Sequence, residues 1–405
     1  MWLSISGIIF IMVIYRNSWL PGGIALQGKE IFVIVILIIL AFVYQFDLNI
    51  LNNFLNFNLL RFENVFFLFI FFSYSISIFV YNRQEISTVF NVFYTSTFLG
   101  YTYLFFIKVP QILCKSKELM KSFFVFIFYL GSFITFFGLL IYFAGISPIE
   151  KYEFAAYSII VHPNFTANLY TSFIICSVFY YLYYRIEFSD FYKRIVLVSI
   201  ILQIISQLFT FGRGGYVGTA VSLGILFAFF YRKKIILLFP VIISLSALIF
   251  PRFLSAKGTG SFLSRFMLLI PAYHMMNENR TVFLWGYGAF SNIEIFSKYM
   301  IIYNILEENI SDPHNSYIRL ILMFGIIFTA SLIIYILYLL SRLFFRILKS
   351  TSENERLFNS FLLAATAGLL VQNLFDSGLS STVFFHIQFF LLYLGIIRII
   401  LNSKV

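Results

Sequence analysis

Apolar stretches of roughly 17–25 residues recur along this chain, and each is long enough to cross a hydrocarbon core of about 30 Å as a helix. They are continuous rather than alternating, which fits helical spans and not barrel strands. The expected fold is an all-α integral membrane protein with about 12 transmembrane helices. Their ranges are 2–15, 31–46, 65–81, 87–109, 122–146, 166–184, 195–211, 215–231, 235–250, 315–341, 357–374 and 381–401. Only 11% of the 405 residues are charged, against about 25% in soluble globular proteins. No stretch between the spans is long enough for an independent soluble domain, so residues 1–405 read as one polytopic membrane domain. The 56 Phe and 27 Tyr are expected to face lipid or other helices. Leu3–Tyr15 has no basic residue ahead of it, so it is expected to be a retained first span rather than a cleavable signal.

The net charge of +11 does not imply nucleic acid as a partner, because the basic residues gather in short loops between spans, as orientation signals do. Lys115, Lys117 and Lys121 follow the fourth span. Arg185, Lys193 and Arg194 follow the sixth, Arg232, Lys233 and Lys234 the eighth, and Arg342, Arg346, Lys349 and Arg356 the tenth. That places all of them on the cytoplasmic side, with both termini inside. The opposite face then carries residues 147–165, the turn at 212–215, the long loop 251–314 and residues 375–380. With about 60 residues and several amphipathic pieces, the long loop is expected to lie against the outer membrane surface.

The unusual polar residues sort to that outer face. Gly212-Arg213-Gly214-Gly215 joins two spans with almost no linker, and its glycines are expected to supply the positive φ angles of a tight turn. Arg213 at this corner can snorkel to lipid headgroups or grip a phosphate bidentately. In the long loop, residues 261–270 read as an interfacial helix interrupted at Pro271. Arg265 lies within it, and Arg280 is a rival for the same anion-binding role. Trp285-Gly286-Tyr287-Gly288 reads as an interfacial turn. At the loop's end, Asp312 is the expected N-cap and Pro313 the first helical residue. His314 would then lie in the first turn, on the same side as Tyr317, where the helix dipole favours a neutral imidazole and a nearby anion. His162-Pro163-Asn164 precedes the sixth span, with Asn164 able to cap it. His274 is a second polar candidate in the loop, His386 a packing residue, and Asp376 a cap or an orienting carboxylate.

Several chemistries have no support. There is no Asp-x-Asp pair and no phosphate-binding glycine loop, so neither a metal-dependent nucleotide-sugar transferase nor ATP use is indicated. No Asp or Glu falls in mid-span and no internal repeat is evident, which weighs against a coupled transporter. Cys114, in a loop, and Cys176, in a span, form neither a disulfide nor a metal-type spacing.

Together, Gly212-Arg213-Gly214-Gly215, Ser264-Arg265, Gly286-Tyr287-Gly288, and His314-Asn315-Ser316-Tyr317 with Gly325 resemble the O-antigen ligase/polymerase (WaaL/Wzy) superfamily. His162-Pro163-Asn164 resembles a further short motif of these proteins. The resemblance covers roughly residues 160–330. It implies a GT-C-like membrane glycosyltransferase that is metal-independent, needs no cofactor and takes an undecaprenyl-diphosphate-linked oligosaccharide as donor. It further implies His314, Arg213 and Arg265 as catalytic residues. Arg280, Tyr317, Asn315, His162, Asn164 and Tyr287 would contact substrate. Membrane lipids, a chain-length regulator and a flippase are the implied partners, and the plasma membrane the location. A polysaccharide polymerase is the favoured activity. An O-antigen ligase shares the motifs, and a flippase is the alternative from another class.

Overall fold

A computed structural model describes residues 102–145, 163–231, 267–278, 280–288, 291–302, 313–375 and 385–402. Every regular element among them is helical. The first three expected spans, the ninth (235–250), Arg232, Lys233, Lys234, His162, Arg265 and Asp376 lie outside the described residues, as do the side chains of Asn164 and His386.

We number the described helices in chain order. A π-helical stretch, Tyr103–Lys108, runs into α1 (Val109–Leu113). Then come α2 (Lys117–Phe143), α3 (Pro163–Tyr184), α4 (Asp190–Phe209) and α5 (Arg213–Tyr231). The loop region holds α6 (Leu269–Glu278), α7 (Arg280–Trp285) and α8 (Ser291–Ile302). The chain closes with α9 (Ser316–Lys349), α10 (Glu353–Gln372) and α11 (Phe385–Asn402). Four of these, α2, α4, α5 and α9, are long and apolar enough to span a membrane, judged by length and composition. The protein is therefore a helical membrane protein.

Serine starts three of the long helices. Ser116 accepts from the Leu119 N–H, Ser189 from Tyr192 and Ser352 from Glu355, each satisfying an amide that the first turn leaves open. Glu118, Asp190 and Glu353 then stand where the helix dipole favours an acid.

At the centre is α3, whose residues from Thr166 to Tyr180 are all buried. A helix enclosed on every side cannot be amphipathic, and α3 mixes Phe173, Ile174 and Phe179 with Thr166, Asn168, Thr171, Ser172 and Ser177. Around it, Phe124 of α2, Phe361 of α10 and Tyr393 of α11 close an aromatic core; Phe124 and Phe361 sit edge-on at 5.3 Å and Phe179 stacks on Phe361 at 4.4 Å. By contrast α2 and α4 turn Phe136, Phe143, Val198 and Ile201 outward, as lipid-facing residues do.

Buried amides tie α3 to its neighbours. Gln207 of α4 donates to the Ala167 carbonyl at 2.9 Å and to Thr219 Oγ1 of α5 at 2.9 Å. Thr171 donates to the Gly215 carbonyl at 3.0 Å, and Ser177 to Gln203 Oε1 at 3.1 Å. No Asp or Glu falls in mid-span, but uncharged polar residues do: Gln203 and Gln207 are buried within α4. Their partners come from other helices, so the sequence of α4 alone does not disclose them. Such bonds average about 0.6 kcal/mol each within a membrane, and they fix the mutual register of α3, α4 and α5.

Ion pairs gather at the opposite end of the bundle from Arg213. Lys121 at the start of α2 pairs with Glu187 after α3, and Arg346 of α9 with Glu355 of α10. Arg346 also donates to the Ile400 carbonyl of α11. This end carries the basic loops used for orientation. There, Cys114 sits half-buried between α1 and α2, and burial pushes its thiol up to about 11, so it stays protonated at neutral pH.

Candidate functional site at the Arg213 end

Four segments converge at the other end of the bundle: the start of α3, the α4–α5 turn, the start of α9 and the end of α10. The turn takes three residues, Thr210, Phe211 and Gly212, and α5 begins at Arg213. Its left-handed residue is Phe211 (φ 52), and Tyr216 fastens the turn by donating to the Leu208 carbonyl at 2.5 Å. The glycines therefore act differently from the sequence expectation. Gly214 and Gly215 lie inside α5, where they admit neighbouring helices. A Cβ on Gly215 would stand 2.5 Å from the Ala167 carbonyl of α3, and one on Gly214 3.3 Å from the Gln372 carbonyl of α10 and 3.6 Å from Asn168 Oδ1. Arg213 is thus half-buried on a corner clamped between α3 and α10.

The start of α9 also departs from expectation. Asn315, not Asp312, is the N-cap: its Oδ1 accepts from the Tyr317 and Ile318 N–H groups at 3.0 and 3.2 Å. Helix α9 begins at Ser316, so Pro313 and His314 precede it. His314 lies outside the first turn, in the left-handed region at φ 47, and the face shared with Tyr317 does not form. Asn outcompetes Asp-Pro here because its amide also reaches sideways, donating to the Leu374 carbonyl at 3.1 Å. Ser316 adds two bonds to Asn373, one from its N–H to the carbonyl at 3.0 Å and one from its Oγ to Oδ1 at 2.9 Å. Tyr317 donates to the Leu370 carbonyl at 2.7 Å. The cap is thereby stitched to the last turn of α10.

Arg213 and His314, far apart in sequence, consequently share one support. Gly214 packs on Gln372 and Phe375, and the residues following His314 bond to Asn373 and Leu374. Among the described residues, Phe211 and His314 are the non-glycine positions with positive φ; both immediately flank this cluster. A strained backbone of this kind costs of order 1–3 kcal/mol and concentrates at functional sites. The structure adds residues that the sequence reading does not single out: Asn168, Arg319 in the first turn of α9, Gln372 and Asn373. An Asn or Gln inside an apolar run is the signal that marks three of them.

The other expected contacts are distributed differently. Asn315 and Tyr317 spend their side-chain bonds on the helix start and on α10. Tyr287 is buried and donates to the Met275 carbonyl at 3.0 Å, locking α7 to α6. Arg280 is exposed at the start of α7. The described part of α3 begins at Pro163, which puts Asn164 inside its first turn rather than at a cap.

Nor does the loop simply coat the surface. Most of the expected 261–270 helix lies outside the described residues; Met267 is helical, Leu268 is a turn, and Pro271 falls in the first turn of a new helix, α6, where a missing N–H costs nothing. Leu268, Ala272, Met275, Tyr287, Phe296 and Met300 form a small core against Leu322 of α9. Gly325 (φ 82, ψ 168) kinks α9 there, about two and a half turns below its start. At the kink the Leu322 and Met323 carbonyls accept from the N–H groups of Tyr287 (2.6 Å) and Gly288 (3.0 Å). A Cβ on Gly286 would collide with the Met323 carbonyl, and one on Gly325 with the Leu284 carbonyl. The two glycine motifs of the sequence are thus one joint.

Among the described residues no three His, Cys, Asp or Glu side chains form a metal-holding group. No protein-family model matches the chain, and no curated protein or solved structure matches it either.

Proposed function

We propose that this chain is a polysaccharide polymerase. It is an inverting glycosyltransferase joining undecaprenyl-diphosphate-linked oligosaccharide repeat units, of O-antigen or capsule, at the outer face of the plasma membrane. The supporting observation is that Arg213 and His314 are brought to the same support, Gln372 to Phe375, at the end of the bundle away from the basic loops. The charge rule then puts this end outside and both termini in the cytoplasm.

In this mechanism His314 accepts the proton of an acceptor sugar hydroxyl as its oxygen attacks the anomeric carbon. The bond from that carbon to the diphosphate oxygen breaks with inversion, and the lipid diphosphate leaves. Arg213 and a second arginine, Arg265 or Arg280, offset the growing negative charge. Guanidinium groups carry permanent charge and forked donors, so they can do this without a metal. An O-antigen ligase transferring polymer to lipid A-core would use the same chemistry. A second reading, transport of the lipid-linked unit, draws on the kinked α9 and the buried amides of α4, features that line transport sites elsewhere.

Gels of surface polysaccharide separate these readings. Cells lacking the gene are expected to carry single repeat units on the core, and His314→Ala to reproduce that pattern while the protein still inserts. A normal polymer ladder in the mutant would remove His314 from the mechanism. Free lipid-linked polymer with a bare core would indicate the ligase, and loss of outer-face units the transporter.

A further inference from the structure

Gln372 ends α10, and it is 0% exposed. Among the described residues neither its Nε2 nor its Oε1 has a hydrogen-bond partner. Its surroundings are set by small residues of α5. Its Oε1 is 3.0 Å from where a Cβ on Gly218 would stand, and Gly214 lies against its carbonyl. One residue on, Asn373 is bonded to Ser316. The amide therefore packs on the helix that starts at Arg213, one residue away from the bond that holds the start of α9.

An unpartnered buried carboxamide costs about 1–3 kcal/mol, and the enclosing protein gives the Gln372 side chain no exposed surface to offset it. The same bundle satisfies its comparable amides: Gln207 and Gln203 are both hydrogen-bonded across helices. Gln372 is left open at the functional end. Asn359 is likewise buried with both amide atoms unpartnered, but it lies about 20 Å along α10 from Gln372, towards the ion-paired end.

We propose that Gln372 is a substrate-contacting residue that binds a hydroxyl of the sugar adjoining the donor's diphosphate. This rests on the glycosyl-transfer reading above. The chemistry chooses the ligand: a carboxamide has donors and an acceptor, and so does a hydroxyl. A phosphate oxygen only accepts and would leave Oε1 unpaired. The Gln372 Oε1 lies beside Gly218, one turn along α5 from Gly214 and the Arg213 corner, and neither glycine places a side chain between them.

The test uses purified protein in liposomes, with lipid-linked repeat units extracted from cells in which the gene is deleted. Gln372→Leu removes the amide while keeping an apolar side chain. It is expected to raise the KM for the donor about tenfold, the effect of one lost hydrogen bond to a buried group, with unchanged or higher thermal stability. Asn359→Leu serves as the comparison, with the same stability effect and a wild-type KM. Gln372→Met, which keeps the side-chain length, replaces Gln372→Leu if the latter does not insert. Wild-type kinetics in the Gln372 variant, or equal losses in both variants, would overturn the proposal. A wild-type protein that transfers no sugar from the lipid-linked donor would overturn the glycosyl-transfer reading beneath it.

Discussion

Arg213 and His314 are held by different devices. Arg213 is the first residue of a helix whose next two positions are glycine, so α3 and α10 close in on it and leave its side chain a narrow range of directions. His314 is held by its own backbone, left-handed at φ 47, and by a cap that makes four hydrogen bonds to the end of α10. That Arg213 and His314 fall at one end of the bundle is legible in the sequence, because the basic loops sort both segments to the same face. How His314 is held is not, because it depends on Leu374 and Asn373, distant in the chain. Arg213→Lys keeps the charge and loses the fork. It is expected to reduce turnover about 10- to 100-fold, the range set by one charge-assisted hydrogen bond. Transfer by this variant at the wild-type rate in the same liposome assay would favour lipid-headgroup binding by Arg213.

Among the elements, α9 carries the most information. Its first two and a half turns are set off by the Gly325 kink, and the α7 turn inserts there through Tyr287 and Gly288. Alternating spans and loops are legible from hydropathy alone; α3 and α5 start within about three residues of the expected ranges, while α2 and α4 start five residues early and α9 runs eight residues past 341. The kink is not legible, since a lone Gly in a span also serves simple packing. Nor does hydropathy disclose that α3 is central, because its Thr, Ser and Asn matter only through their neighbours. Gly325→Ala would force an Ala to φ 82 and into the Leu284 carbonyl, costing about 1–2 kcal/mol for the backbone alone. The expected outcome is a fall of several degrees in the unfolding temperature of the purified protein, with Gly286→Ala behaving the same way. An unchanged melting profile for both would mean that the loop does not dock at the kink.

For the whole molecule, the charge asymmetry and the packing agree. Lys121, Glu187, Arg346 and Glu355 form ion pairs at one end, while the segments carrying Arg213, His314, Asn168 and Gln372 pack at the other. Each pair is individually weak, but their common placement separates a basic end from the end that carries Arg213 and His314. The proposed reading assigns sugar transfer from a polyprenyl diphosphate to this second end, with arginines and a histidine in place of a metal. The most direct measurement is polymer formation by the purified protein in liposomes supplied with lipid-linked repeat units and EDTA. The account predicts a ladder of polymer and stoichiometric release of undecaprenyl diphosphate, unchanged by the chelator. A ladder that appears only with added Mg²⁺, or no ladder at all, would contradict it.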